Sequence, residues 1–165
     1  MKKALGAVYF RNFIFGVEDS LVSTVGLLSG VAIADVPRAT IFLTGMVLIF
    51  VEAFSMGVGS FLSEHSASDF EGAPEKARRS IVWPALVMFV SYFVSGFIPL
   101  FPYIVLPVSA ALAVSVVVSL LALFGLGAVS GKITKKSVVR EGLRMLIIGG
   151  GAVLLGVLVG KMIGV

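Results

Sequence analysis

Five apolar runs, each long enough to cross a bilayer, follow one another along the 165 residues of this chain. A helix rises 1.5 Å per residue, so about 20 apolar residues match a hydrocarbon core roughly 30 Å thick. The runs cover about Phe13–Ala34, Ala39–Leu62, Ser80–Ile98, Tyr103–Val129 and Met145–Val165. Between them lie the polar corner Asp35-Val36-Pro37-Arg38, a polar segment over 63–79 that Pro74 interrupts, a tight turn marked by Pro99 and Pro102, and a basic connection from Lys132 to Arg144. Pro107 predicts a tilt or bend early in the fourth run. Hydrophobic residues make up 58% of the chain, which leaves no room for a separate soluble domain of ordinary size. The expected fold is all-α and polytopic: one transmembrane domain over 1–165 with five transmembrane helices and a short cytoplasmic segment at 63–79. Residues 1–12 read as an amphipathic lead-in on the membrane surface, because Arg11, Asn12, Glu18 and Asp19 break up any signal-peptide core.

Lys and Arg placement sets the expected orientation. With the N-terminus cytoplasmic, 11 of the 13 basic residues fall on the cytoplasmic side: Lys2, Lys3, Arg11, Lys76, Arg78, Arg79, Lys132, Lys135, Lys136, Arg140 and Arg144. Only Arg38 and Lys161 fall on the other, and five spans leave the C-terminus outside. The net charge of +4 therefore belongs to the connections and does not signal nucleic-acid binding. The lack of cysteine removes disulfides and thiolate metal sites from consideration. No nucleotide-binding glycine loop, nucleophile elbow or paired-histidine zinc motif is legible, which argues against an enzyme and against transport driven by ATP hydrolysed on this chain. Short connections and the absence of a targeting extension favour a prokaryotic cytoplasmic membrane. Ala152, Gly156, Gly160 and Gly164 form a small-residue ridge that fits packing within one subunit or a dimer contact.

Asp19 lies inside the first span, where a carboxylate costs roughly 2.5–3.5 kcal/mol on insertion scales. Chains keep such a group mainly where it lines an ion or proton path. Taking the cytoplasmic boundary at Phe13 on the first span and Leu62 on the second, Asp19 and Met56 share a depth of roughly 9 Å and Glu52 is one turn deeper. Asp19, Ser23, Gly26 and Gly30 share one helix face, and Gly45, Glu52, Met56, Gly59 and Ser63 share another; such faces let helices approach and leave room for an ion or water. Two acids without a basic partner call for protons or a cation. Carboxylates alone suit Mg²⁺ or Ca²⁺; an added thioether shifts the set toward Fe²⁺, with Mn²⁺, Co²⁺ and Zn²⁺ as competitors. Glu64, His65, Asp69, Glu71 and Glu75 make the polar segment after the second span oxygen-rich, either as an ordinary solvated face or as a metal-attracting vestibule.

At these residues the chain resembles the vacuolar iron transporter family. The matching pieces are Phe15-Gly-Val-Glu-Asp-Ser-Leu and Glu52-Ala-Phe-Ser-Met-Gly-Val-Gly-Ser-Phe-Leu-Ser63, followed by Ser66 and Asp69. The resemblance implies five spans, an inside N-terminus, and a homodimer with its path at the subunit interface, exchanging Fe²⁺ for protons. It also implies that Asp19 and Met56 are the transport-site aspartate and methionine. Ser20 stands where glycine commonly follows that aspartate, and the segment 63–79 is shorter than the glutamate-rich extension of characterised eukaryotic members.

The expected function is proton-coupled export of Fe²⁺, or of Mn²⁺ or Co²⁺, from the cytoplasm. Metal gathers at Glu64, Asp69, Glu71 and Glu75, then passes to Asp19, Glu52 and Met56. The metal and the counter-ion proton are substrates, and no permanently bound cofactor is expected. A Mn²⁺-selective transporter of the same fold is the alternative, and a non-transporting membrane scaffold subunit is a further one.

Overall fold

The computed structural model describes residues 2–72 and 81–163, with side chains from Gly6 onward. Six helices account for the regular structure of these residues: α1 (Lys2–Ile33), α2 (Arg38–Phe70), α3 (Val82–Leu100), the single turn α4 (Pro102–Val105), α5 (Val108–Ile133) and α6 (Val138–Ile163). Five are long and apolar enough to cross a membrane, from Gly6 onward in the case of α1. The all-α, five-span expectation holds.

The ends of the helices differ from those read off composition. Residues 2–12 are the first turns of α1 rather than a separate surface segment. No proline breaks that stretch, and Arg11 and Asn12 both find partners on α2. For its part, α2 continues two turns beyond Leu62 and ends at Phe70, close to Gly72, whose φ of +63° suits a residue without a Cβ. The bend expected near Pro107 is a full break: Leu106 and Pro107 are extended and α5 starts afresh at Val108. α6 begins at Val138, seven residues before Met145, so Arg140 and Arg144 are helical and exposed.

Lipid offers no hydrophobic drive for helices to associate, so small and hydroxyl residues make the contacts. Ser20, Thr24, Ser29, Ser91, Ser95, Ser115 and Ser119 are buried, while Leu43, Phe54, Leu121, Leu154 and Leu155 are all more than 60% exposed. At the centre is α1, packed most extensively against α3 and α6, and less against α5 and α2. Paired positions rise together between α1 and α3 (Gly16 with Met88, Ser20 with Tyr92) and between α1 and α6 (Gly26 with Ala152, Gly30 with Gly156), so these three run parallel. Gly57 with Ala85 and Gly45 with Leu100 make α2 antiparallel to α3.

The glycine ridge of α6 is used inside the chain. A Cβ on Gly156 or Gly160 would overlap the carbonyl oxygens of Gly26 or Gly30, and a Cβ on Gly30 would lie 2.6 Å from the Gly156 oxygen. Gly26 and Gly30 are therefore occupied by the close helix approach that their face allows, and the room for an ion expected on it does not extend to these two positions. Around the α1–α2 corner, Leu28, Ile41, Ile49, Leu100 and Tyr103 form a fully buried cluster that holds the two helices in register.

Candidate metal path between α1, α2 and α3

Two polar contacts set the register of α1 against α2. Ser60 Oγ donates to Asn12 Oδ1 at 2.6 Å, and Arg11 pairs with Glu64. One helical turn inward from the Asn12–Ser60 contact lie Phe15 and Met56, and one turn further lie Asp19 and Glu52. Counting from the other end agrees: Asp19 precedes the end of α1 at Ile33 by fourteen residues, and Glu52 follows the start of α2 at Arg38 by fourteen. Both are about 21 Å from the corner. Asp19 is therefore level with Glu52, and Met56 lies one turn nearer the Arg11–Glu64 end. Depth counted along the sequence alone places Asp19 level with Met56 instead. Its boundary at Phe13 and Leu62 is offset from the Asn12–Ser60 contact by nearly a turn.

Asp19 and Glu52 lie within electrostatic reach of each other, and the Tyr92 hydroxyl lies within reach of both. Tyr92 is buried on α3; its hydroxyl shares a 2.7 Å hydrogen bond with Ser23 Oγ, and its carbonyl accepts a 2.7 Å bond from Ser20 Oγ. Those bonds pin α3 to the α1 face that carries Asp19. Asp19, Glu52 and Met56 are each half-buried, which leaves the group open on one side. Glu18, adjacent in sequence, has Arg144 of α6 within electrostatic reach as well as Asp19. Among the described residues, no Lys or Arg forms an ion pair with Asp19 or Glu52.

A cavity of about 570 Å³ lies just below the carboxylates, lined by Asn12, Phe15, Met56, Ser60, Glu64 and Met88 among others. Of the residues expected at the cytoplasmic mouth, Glu64 is held by Arg11. Asp69 pairs with His65 at 3.2 Å. Glu71 caps the end of α2 and is exposed, and Glu75 lies outside the described residues. Among the described residues, no three His, Asp or Glu side chains converge on a point where a metal ion could sit. The structure thus brings together Asp19 and Glu52, with Met56 one turn away, and leaves Glu64, Asp69 and Glu71 dispersed. Tyr92 and Met88 escaped the sequence reading. The available signal was the four-residue spacing of Met88, Tyr92 and Gly96 beside Ser91 and Ser95, a polar and small stripe on an otherwise apolar helix.

A model of the VIT family matches residues 10–83 and 72–161. The chain belongs to the VIT family. The first matched stretch takes in Asp19, Glu52, Met56 and the Asn12–Ser60 contact, and the second takes in Ala152, Gly156 and Gly160 of the ridge, whose last member, Gly164, lies outside the described residues. Curated VIT-family relatives include vacuolar iron transporter homolog 1 of Oryza sativa subsp. japonica, 29% identical over 157 residues that cover 86% of this chain and 68% of that one. Vacuolar iron transporter homolog 5 of the same organism is 28% identical, covering 96% and 81%. Vacuolar iron transporter 1 of Tulipa gesneriana is 25% identical, covering 84% and 81%. Membership of the VIT family and five spans together make the chain an integral, multi-pass membrane protein.

Proposed function

We propose that this protein is a transporter that moves a divalent transition metal, Fe²⁺ in the first instance and Mn²⁺ or Co²⁺ as alternatives, out of the cytoplasm in exchange for protons. The observation that carries the reading is the level pair of Asp19 and Glu52, which lie within electrostatic reach of each other, form no ion pair with a Lys or Arg among the described residues, and have Met56 one turn below. Two like charges at bilayer depth raise each other's cost, and a bound cation or bound protons remove it. Desolvation favours the protonated form of a carboxyl group and a neighbouring cation favours the ionised form, so metal and proton compete for one site. Such competition is the minimum requirement for antiport. Met56 adds the sulfur that distinguishes first-row transition ions from Mg²⁺ and Ca²⁺. The names of the relatives, iron transporters, support the choice of Fe²⁺.

A homodimer with the path at its interface is part of the proposal. Its support is the exposed small-residue face of α2 beside the site: Ser55, Gly59 and Ser63 recur every four residues and are exposed, and a Cβ on Gly59 would meet nothing within 4 Å. A face of that kind at membrane depth suits another helix better than lipid. The relatives are named for the vacuole and lend nothing to a prokaryotic cytoplasmic membrane, so the proposal keeps only the sidedness, with the Arg11–Glu64 end toward the cytoplasm.

Proteoliposomes with an imposed pH gradient test the function. Wild type is expected to carry Fe²⁺ against the proton gradient, and Asp19→Asn to lose that flux. Unchanged Fe²⁺ flux in Asp19→Asn would remove that residue from the path. Competition by Mn²⁺ and Co²⁺ in the same vesicles identifies the preferred ion.

A further inference from the structure

The first half of α6 carries a basic stripe beside an apolar one. Lys136, Arg140 and Arg144 recur every four residues, and Val139, Leu143 and Ile147 recur likewise one position away, so the two stripes run side by side. All six side chains are exposed, and they line an open groove of about 1090 Å³. Ile148, the next position in the basic series, is apolar, so the charge stops where the hydrocarbon-facing part of the helix continues. Because α6 is the least buried of the five spans, this face looks out at lipid. Gly26 lies against Ala152, so Arg144, eight residues before Ala152, is level with Glu18, eight before Gly26. That level is about 8 Å inside the start of the first apolar run at Phe13. Basic residues that only mark topology sit in the connections between spans. Arg144 sits instead on a spanning helix, with its side chain 70% exposed. Glu141 approaches it at 3.8 Å, and Glu18 is within electrostatic reach, but one contact of that length leaves most of the five guanidinium donors unengaged. Among the described residues, Lys136 and Arg140 form no ion pair. Three cations and a single acid, Glu141, therefore line the groove.

We infer that this groove binds the headgroup of an anionic phospholipid, with its phosphate at Arg140 and Arg144, Lys136 at the outer edge, and an acyl chain along Val139, Leu143 and Ile147. The Cα–Cβ bonds of a helix tilt toward its N-terminus, so Arg144 leans back toward Arg140 and Lys136, at the membrane surface. The two arginines are one turn apart, roughly 6 Å along the axis, and guanidinium forks suit phosphate oxygens. A zwitterionic headgroup brings its own ammonium and matches the excess positive charge poorly. The apolar stripe beside the arginines favours a lipid over a free anion, because it continues the groove where an acyl chain would lie. The site requires only that α6 spans a bilayer, and it stands apart from the transport reading.

Native mass spectrometry of the full-length protein, titrated in detergent with phosphatidylglycerol or with phosphatidylcholine of the same acyl chains, tests the inference. Wild type is expected to retain phosphatidylglycerol in preference. Arg140→Gln with Arg144→Gln should weaken that binding roughly thirtyfold, about fivefold for each basic group lost beside an anionic headgroup. Lys132→Gln with Lys135→Gln removes the same charge from the same connection but from residues outside the groove, and should change the binding little. All four side chains are exposed, so each variant should melt like wild type without lipid; if the arginine pair fails to fold, Arg144→Gln alone against Lys135→Gln gives the same comparison. Equal losses in the two double variants would overturn the site in favour of general surface charge. Equal retention of the two lipids would overturn the headgroup assignment. Glycerol phosphate competing as well as the whole lipid would reduce the site to a free-anion site, and polyglutamate displacing the lipid at lower concentration would make it a surface for an acidic protein; either result overturns the inference.

Discussion

Replacing Gly30 by alanine tests the packing that holds the central helix in place. The added Cβ would lie 2.6 Å from the Gly156 oxygen, 3.1 Å from its carbonyl carbon and 3.4 Å from its Cα, so all three neighbours are backbone. Ordinary contact starts near 3.4 Å, so α1 and α6 would have to part by about 0.8 Å at this point, and no side chain can rotate away to absorb it. The parting would spread, because Gly26, Gly156 and Gly160 sit in the same close contact. Overpacking of this kind costs about 3 kcal/mol at the upper end, and the better helix propensity of alanine returns about 1 kcal/mol. A net loss of about 2 kcal/mol lowers the melting temperature by roughly 4–8 °C on the scale of soluble chains of this length. Gly151→Ala is the control: its Cβ would meet nothing within 4 Å, so only the propensity gain applies and melting is unchanged or slightly raised. Melting in detergent, followed alongside size-exclusion chromatography, distinguishes the possibilities. If Gly30→Ala melts with Gly151→Ala, the close α1–α6 contact is refuted; if it changes oligomeric state while leaving melting untouched, the ridge serves contacts between copies instead.

Two further outcomes are expected. The chain has no cysteine, so single cysteines at Lys135 and Lys161 should label with a membrane-impermeant maleimide from opposite sides, Lys135 only after the cytoplasmic face is exposed; labelling of both from one side would refute the five-span orientation. Tyr92→Phe removes the hydrogen bond to Ser23 and should cost about 1 kcal/mol of stability, a shift of roughly 2–4 °C in melting temperature. It should also change the pH dependence of metal flux, because the hydroxyl lies within electrostatic reach of both Asp19 and Glu52; a melting shift with an unaltered pH profile would make Tyr92 a packing residue only.

Hydropathy makes the spans legible, because a hydrocarbon core demands a minimum apolar length whatever the details of packing. Helix ends are less legible, because a charged residue does not end a helix when another helix supplies its partner. Arg11 and Asn12 read as surface residues until Glu64 and Ser60 are set beside them. That same ambiguity at the ends displaced Met56 by a turn relative to Asp19, since depth counted from a composition boundary carries the boundary's error inward. The acids themselves were visible because a charge within an apolar run has few explanations. Tyr92 and Met88 were not, because one tyrosine or methionine in an apolar span carries the same pattern whether it packs or lines a path; only the contact with Ser23 and the shared cavity separate the cases. The ridge of α6 was visible as a ridge, but a single helix does not specify which neighbour fills it, and Gly26 and Gly30 read equally well as space for an ion until they are seen occupied.

The pair Glu18-Asp19 shows how the fold assigns different work to neighbouring acids. Successive residues on a helix point about 100° apart, so α1 turns one carboxylate toward α6 and the other toward α2. Glu18 is half-buried and has the exposed Arg144 within electrostatic reach, although the ion pair that Arg144 makes among the described residues is with Glu141. Asp19 has Glu52 instead, and a carboxylate facing another carboxylate is stable only when something positive comes between them or a proton neutralises one. On the proposed transport reading, what completes the pair of Asp19 and Glu52 arrives through the space beside Met56, in the cavity one turn away. On that reading the cost of two neighbouring carboxylates in a span is offset by a cation or proton that is cargo.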